Sequence, residues 1–140
     1  MNQNKQRSVM NLGLISGTRI KSDENEADIY LMTVYLPDTN IITLHLSDSV
    51  ARTIWSELTT MLFPRAADQL TSGAQTAIAA RNQQKYITHL VNIRYHEAEQ
   101  LIEIYGMRRL GGWSIFLTVE LAESLWTELE DIFQNVGRRG

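Results

Sequence analysis

Cations and aromatic rings interleaved at strand-like spacing are the residues of this chain best suited to chemistry. Arg19, Lys21, Arg94, Arg108 and Arg109 fall in or beside stretches rich in Val, Ile, Tyr and Thr, and Tyr35, Tyr95, Tyr105 and Phe116 fall in the same stretches. Lys85 and the terminal Arg138-Arg139 belong to the same basic set. Rings that stack bases, with cations for phosphates, are what a sheet uses to hold a single strand. The competing reading makes the rings core or self-association contacts and the cations ordinary solubilising charge, because acidic residues are interspersed.

Other candidates point to chemistry less well. His96-Glu97-Ala98-Glu99 is the densest group of potential metal ligands, but a metal needs converging groups and support behind them. This tetrapeptide sits where a turn is expected and aligns with Asn25-Glu26-Ala27-Asp28, so it reads as a solvated acidic turn. His45 and His89 lie in strand-like stretches without a partner, and His45 aligns with Phe116 on an outward position. Glu57 and Glu128 recur beside Trp55 and Trp126. They flank apolar helix stripes, which makes a salt link or solvent exposure the expectation; the tryptophans read as core or helix–helix contacts. No glycine-rich phosphate loop, serine nucleophile elbow or metal-binding helix motif occurs. Gly111-Gly112 is expected in a hairpin turn, outside the strand-to-helix context of an anion loop. The chain is therefore expected to be non-enzymatic, with no catalytic residue, no metal and no cofactor.

The elements that must position these residues repeat. At an offset of 71, Leu46, Ala51, Trp55, Glu57 and Leu58 fall on Leu117, Ala122, Trp126, Glu128 and Leu129, and Glu26-Ala27 falls on Glu97-Ala98. In the first copy, Asn11 to Ile20, Ile29 to Leu36 and Ile41 to Leu46 read as strands, with a tight turn at Pro37 to Asn40. Ser47 is placed to cap a helix whose stripe is Val50, Ile54, Leu58 and Met61, and Pro64 ends it. In the second copy, Tyr86 to Tyr95, Leu101 to Met107 and Trp113 to Val119 read as strands. Thr118 takes the cap position, Leu121, Leu125, Leu129 and Ile132 make the stripe, and Gly137 is a stop signal. Ile42, Leu44 and Leu46 are expected to face inward, as are Trp113, Ile115 and Leu117. The segment 64–82 is expected to be a partly ordered linker.

The expected fold is therefore α+β: internally duplicated β-β-β-α units (about 11–63 and 83–135) with antiparallel sheets. Each unit is too small for a robust core, so the two should combine about a pseudo-two-fold, with their helices packed together, into one domain spanning 1–140. The totals agree with a folded globular chain: 140 residues, 44% hydrophobic and 21% charged, with a net charge of −3. That charge argues against nonspecific coating of nucleic acid but leaves local basic patches open. The absence of cysteine suits a reducing, cytoplasmic setting, and no signal peptide or membrane-crossing apolar run is read.

Strands followed by a helix, then the same again over Asn11 to Asn135, resemble the Whirly-type single-stranded DNA-binding regulators and their smaller coactivator relatives. In that group two strand-and-helix units pair their sheets and pack their helices together. The count here is three strands per unit against four in that group, and its lysine- and glycine-containing signature has no counterpart, so no residue role carries over. The resemblance implies single-stranded DNA or RNA as a partner. The alternative expectation is a homo-oligomeric interaction or assembly protein, since strands such as Ile29 to Leu36 carry apolar residues on both faces. A small enzyme or ligand binder, with a pocket between the halves, is a third.

Overall fold

The chain alternates apolar and polar residues along its strands, and burial follows that alternation. In a computed structural model that describes residues 9–63, 87–109 and 111–139 (side chains of the last helix through 134), the order is β1 (Val9–Leu14), β2 (Gly17–Ser22), β3 (Ile29–Tyr35), β4 (Ile41–Ser47), α1 (Asp48–Leu62), β5 (Ile87–Thr88), β6 (Leu90–His96), β7 (Leu101–Arg108), β8 (Gly111–Thr118) and α2 (Val119–Arg139). The class is α+β, and the duplicated plan with paired helices is present. Expectations placed on the linker 64–82, on Pro64 and on Lys85 lie outside the described residues.

Each unit has four strands rather than three. The stretch Asn11 to Ile20 is broken after Leu14, and Tyr86 to Tyr95 is broken after Thr88. At each break the chain leaves one sheet for the other, giving sheets ordered β1-β8-β7-β6 and β2-β3-β4-β5. The first strand of each unit thus completes the sheet of the other, pairing parallel with its last strand: β1 with β8, and β5 with β4. The remaining pairs are antiparallel meanders. Both crossings are pinned by the same bond. The Ser16 N–H donates to the Tyr35 carbonyl (2.7 Å), and the His89 N–H donates to the Met107 carbonyl (3.0 Å). This interlock makes the two units one body, since neither sheet is complete without a strand of the other.

Inward positions form one core. Leu44, Leu46, Trp113, Ile115 and Leu117 are buried there, with Ile42 packed against them. The Ser47 hydroxyl accepts the Val50 N–H (3.3 Å) and the Thr118 hydroxyl accepts the Leu121 N–H (3.1 Å), so both helices start at their expected caps. α2 runs past Gly137 to Arg139, and Gly111 and Gly112 begin β8 instead of forming the turn. Gly13, at φ 73°, sits where the β1–β8 register slips, a bulge that needs its left-handed backbone.

The helices pack on each other through the paired tryptophans. Trp55 Nε1 donates to Glu130 (3.0 Å) and Trp126 Nε1 to the Thr59 hydroxyl (2.8 Å), while Phe63 lies 4.7 Å from Trp126 ring to ring. Each helix also lies against the edge strand of the opposite sheet, α1 on β6 and α2 on β2. Glu128 has neither of its expected roles. Its carboxylate accepts the Ile20 N–H (2.9 Å), closing a gap in the open edge of β2. Glu57 is exposed.

Candidate nucleic-acid interface

Strand register sorts the outward residues of each sheet into rows. On the β2-β3-β4-β5 sheet, one row is Lys21, Leu31, His45 and Ile87, the next is Arg19, Thr33 and Thr43, and the third is Gly17, Tyr35 and Ile41. Neighbouring strands lie about 4.8 Å apart, and successive rows on one face are about 7 Å apart. Arg19 and Lys21 therefore project side by side from β2, both exposed and without an ion-pair partner among the described residues. No Asp or Glu occupies an outward position in these strands. The Glu128 carboxylate lies at the β2 edge, bonded to the Ile20 backbone, and Asp23, Glu24, Glu26 and Asp28 lie in the β2–β3 loop beyond Lys21. The Tyr35 ring reaches across the glycine beside it, where a Cβ on Gly17 would lie 3.8 Å from the ring. Ile41, 59% exposed, extends this apolar end of the sheet.

The other sheet carries the equivalent rows with different chemistry. Pairing partners put Arg94, Glu103, Phe116 and Leu14 where the first sheet has Lys21, Leu31, His45 and Ile87. Glu103 is not idle: its carboxylate meets His96 Nε2 at 2.8 Å, and the His96 ring lies 5.6 Å from that of Phe116. The next row is Asn92, Tyr105, Ser114 and Asn11, in which the Ser114 hydroxyl donates to Asn11 Oδ1 (3.0 Å). Arg94 thus stands next to a carboxylate in direct cross-strand register.

The structure therefore divides the expected contact residues among separate places. Arg19, Lys21 and Tyr35 share one face, while Arg94, Tyr105 and Phe116 share the other sheet's outer face. Tyr95 and Arg108 do not join either set. Both alternate to the core side of their sheet, in step with buried Ile102 and Gly106, and the Arg108 Nε is buried without a hydrogen bond. Arg109 is exposed in the β7–β8 turn. His45, Thr33 and Thr43 lie between the cations and Ile87 or Ile41; alternation along Ile41 to Leu46 marks Thr43 beside outward His45, and alternation along Ile29 to Tyr35 marks Thr33. The acidic turn after β6 holds Glu97 and Glu99 exposed, and among the described residues no three His, Cys, Asp or Glu converge as metal ligands. Among the described residues, no helix is long and apolar enough to cross a membrane.

No protein-family model, curated protein or solved structure matches the chain.

Proposed function

We propose that the protein is a non-enzymatic binding module that holds single-stranded DNA or RNA, in a cytoplasmic setting, across the outer face of the β2-β3-β4-β5 sheet. The observation that carries this reading is that, among the described residues, the outward strand positions that hold Arg19, Lys21 and Tyr35 include no Asp or Glu. Two unpaired cations attract phosphates, the exposed tyrosine offers a stacking surface, and the Thr33 and Thr43 hydroxyls can accept or donate to sugar and base edges. An open, shallow sheet suits splayed bases of a single strand better than a duplex. The four strands per unit also match the count in the Whirly-type group that the sequence resembles.

The test is a fluorescence titration with a labelled oligonucleotide at low salt. Two phosphate contacts on a single strand give a log–log salt slope of about −1.4. The double variant Arg19→Ala/Lys21→Ala is expected to weaken binding and flatten that slope, while Arg94→Ala, on the other sheet, leaves both unchanged. Absence of binding at tens of micromolar, or loss through Arg94 in place of Arg19 and Lys21, overturns the proposal.

A further inference from the structure

The outer face of the β1-β8-β7-β6 sheet differs from its counterpart in one respect that bears on partners: its outward residues on β6 and β7 are complementary to themselves. Across the β6–β7 ladder the outward pairs are Leu90 with Met107, Asn92 with Tyr105, Arg94 with Glu103, and His96 with Leu101. Leu90 is 56% exposed and Met107 37%, so an apolar end of this ladder faces solvent. The charged end is neutral in sum, with one cation and one carboxylate side by side.

We infer that this face is a self-association surface, docking on the same face of a second copy about a two-fold axis that runs between β6 and β7, parallel to them. Two-fold interfaces use one patch twice, so residue i meets j and j meets i. An axis in that position turns each outward pair within the chain into the same pair between chains. Leu90 meets Met107 of the second copy, Asn92 meets its Tyr105, and Arg94 meets its Glu103, each contact made twice. The Glu103 carboxylate bonds His96 through one oxygen and so has its other oxygen available for the incoming guanidinium.

The same operation on the other sheet fails. The β2–β3 ladder pairs Arg19 with Thr33 and Lys21 with Leu31. A two-fold copy there sets cations against a hydroxyl and an aliphatic chain and brings four positive charges together with no anion. Charge complementarity thus selects both the face and the occupant, and it leaves the basic sheet free.

Sedimentation velocity on the full chain, without nucleic acid and over a wide concentration range, tests this. The wild type is expected to pass from monomer to dimer. Arg94→Glu and Glu103→Arg, each setting like charges together, are expected to raise the dimer dissociation constant by about tenfold or more. The swap Arg94→Glu/Glu103→Arg restores the pair and the dimer. Leu90→Lys, at an exposed position that leaves the core intact, is expected to weaken the dimer as well. A monomer at all concentrations overturns the inference, as does a dimer indifferent to Leu90→Lys and to the single charge reversals. The oligonucleotide titration reads the opposite sheet, so either result leaves the other proposal standing or falling on its own.

Discussion

The two copies disagree most sharply at three touching positions, and the disagreement has the form of compensation. In the second unit Trp113 is fully buried against Gly106, and its indole N–H donates to the Thr88 hydroxyl (2.8 Å), itself fully buried. In the first unit register puts Ile42 against Val34 in the same places, with buried Ile15 in that of Thr88. A Cβ on Gly106 would lie 2.3 Å from two indole carbons, far inside the 3.5–4.0 Å at which carbon atoms attract. Because the ring is enclosed, Gly106→Val is expected to cost about 3 kcal/mol or more. Trp113→Ile leaves a cavity and a buried Thr88 hydroxyl without its donor, together about 3–5 kcal/mol. Combined, the two changes recreate the Val–Ile pair of the first unit. The double variant should lie within about 2 kcal/mol of wild type, a coupling of at least about 4 kcal/mol, and adding Thr88→Ile should recover most of the remainder. Chemical denaturation followed by far-ultraviolet circular dichroism reads this without depending on the altered tryptophan. If the double variant is as unstable as the sum of the singles to within about 0.5 kcal/mol, the two sites are not equivalent, and the reading of the fold as a compensated duplication fails.

Two further outcomes follow from single contacts. The Tyr30 hydroxyl donates to Asp48 (3.2 Å), and burial, then the Asp48 charge and that bond, push its pKa from 10.0 up to about 12. The neutral phenol is thus favoured by folding, so its contribution is fully present below pH 10 and is lost as pH rises through 12. Urea melts between pH 9 and 12 should show a loss approaching 2–3 kcal/mol that Tyr30→Phe abolishes; an identical high-pH limb in both proteins would refute the assignment. Glu128→Ala is expected to destabilise by about 1–2 kcal/mol and to speed exchange of the Ile20 amide proton, whereas Glu128→Gln, which keeps an acceptor oxygen, changes little. Unaltered amide exchange in the alanine variant would show that the edge bond carries no weight.

The local grammar of the chain was readable, and its long-range grammar was not. Ser47 and Thr118 announce their helices because a hydroxyl before an apolar stripe satisfies an orphan amide, and β4 and β8 declare their inward faces by strict alternation. The breaks after Leu14 and Thr88 leave no mark so clear. Ser16-Gly17 is a faint turn signal at the first break and Thr88-His89-Leu90 gives none at the second, and at both a backbone bond to a residue distant in sequence holds the crossing. A constant offset also misleads upstream of the helices. Register matches Lys21 with Arg94 and Leu31 with Glu103, pairs that the offset of 71 does not bring together, because the hairpins of the two copies differ in length. At the site, alternation already forbids Arg94 and Tyr95 from sharing a face. Which cations share a sheet depends on the strand exchange, and that no single segment encodes.

Exchange of the first strands has a consequence for how the two faces diverged. Each sheet is built from both copies, so a change on either outer face is carried by a scaffold that both copies maintain, and the inward rows differ only where one change is offset by another, as at Trp113, Gly106 and Thr88. The outward rows are free of that constraint. At equivalent places Leu31 stands against Glu103 and His45 against Phe116, which gives one sheet an unopposed pair of cations and the other a cation–carboxylate pair. A single outward carboxylate decides between them: it cancels the field that would hold a phosphate and supplies the anion that a second copy's Arg94 needs. Placing a carboxylate at Leu31, or removing the one at Glu103, moves either face toward the chemistry of the other while leaving the core untouched.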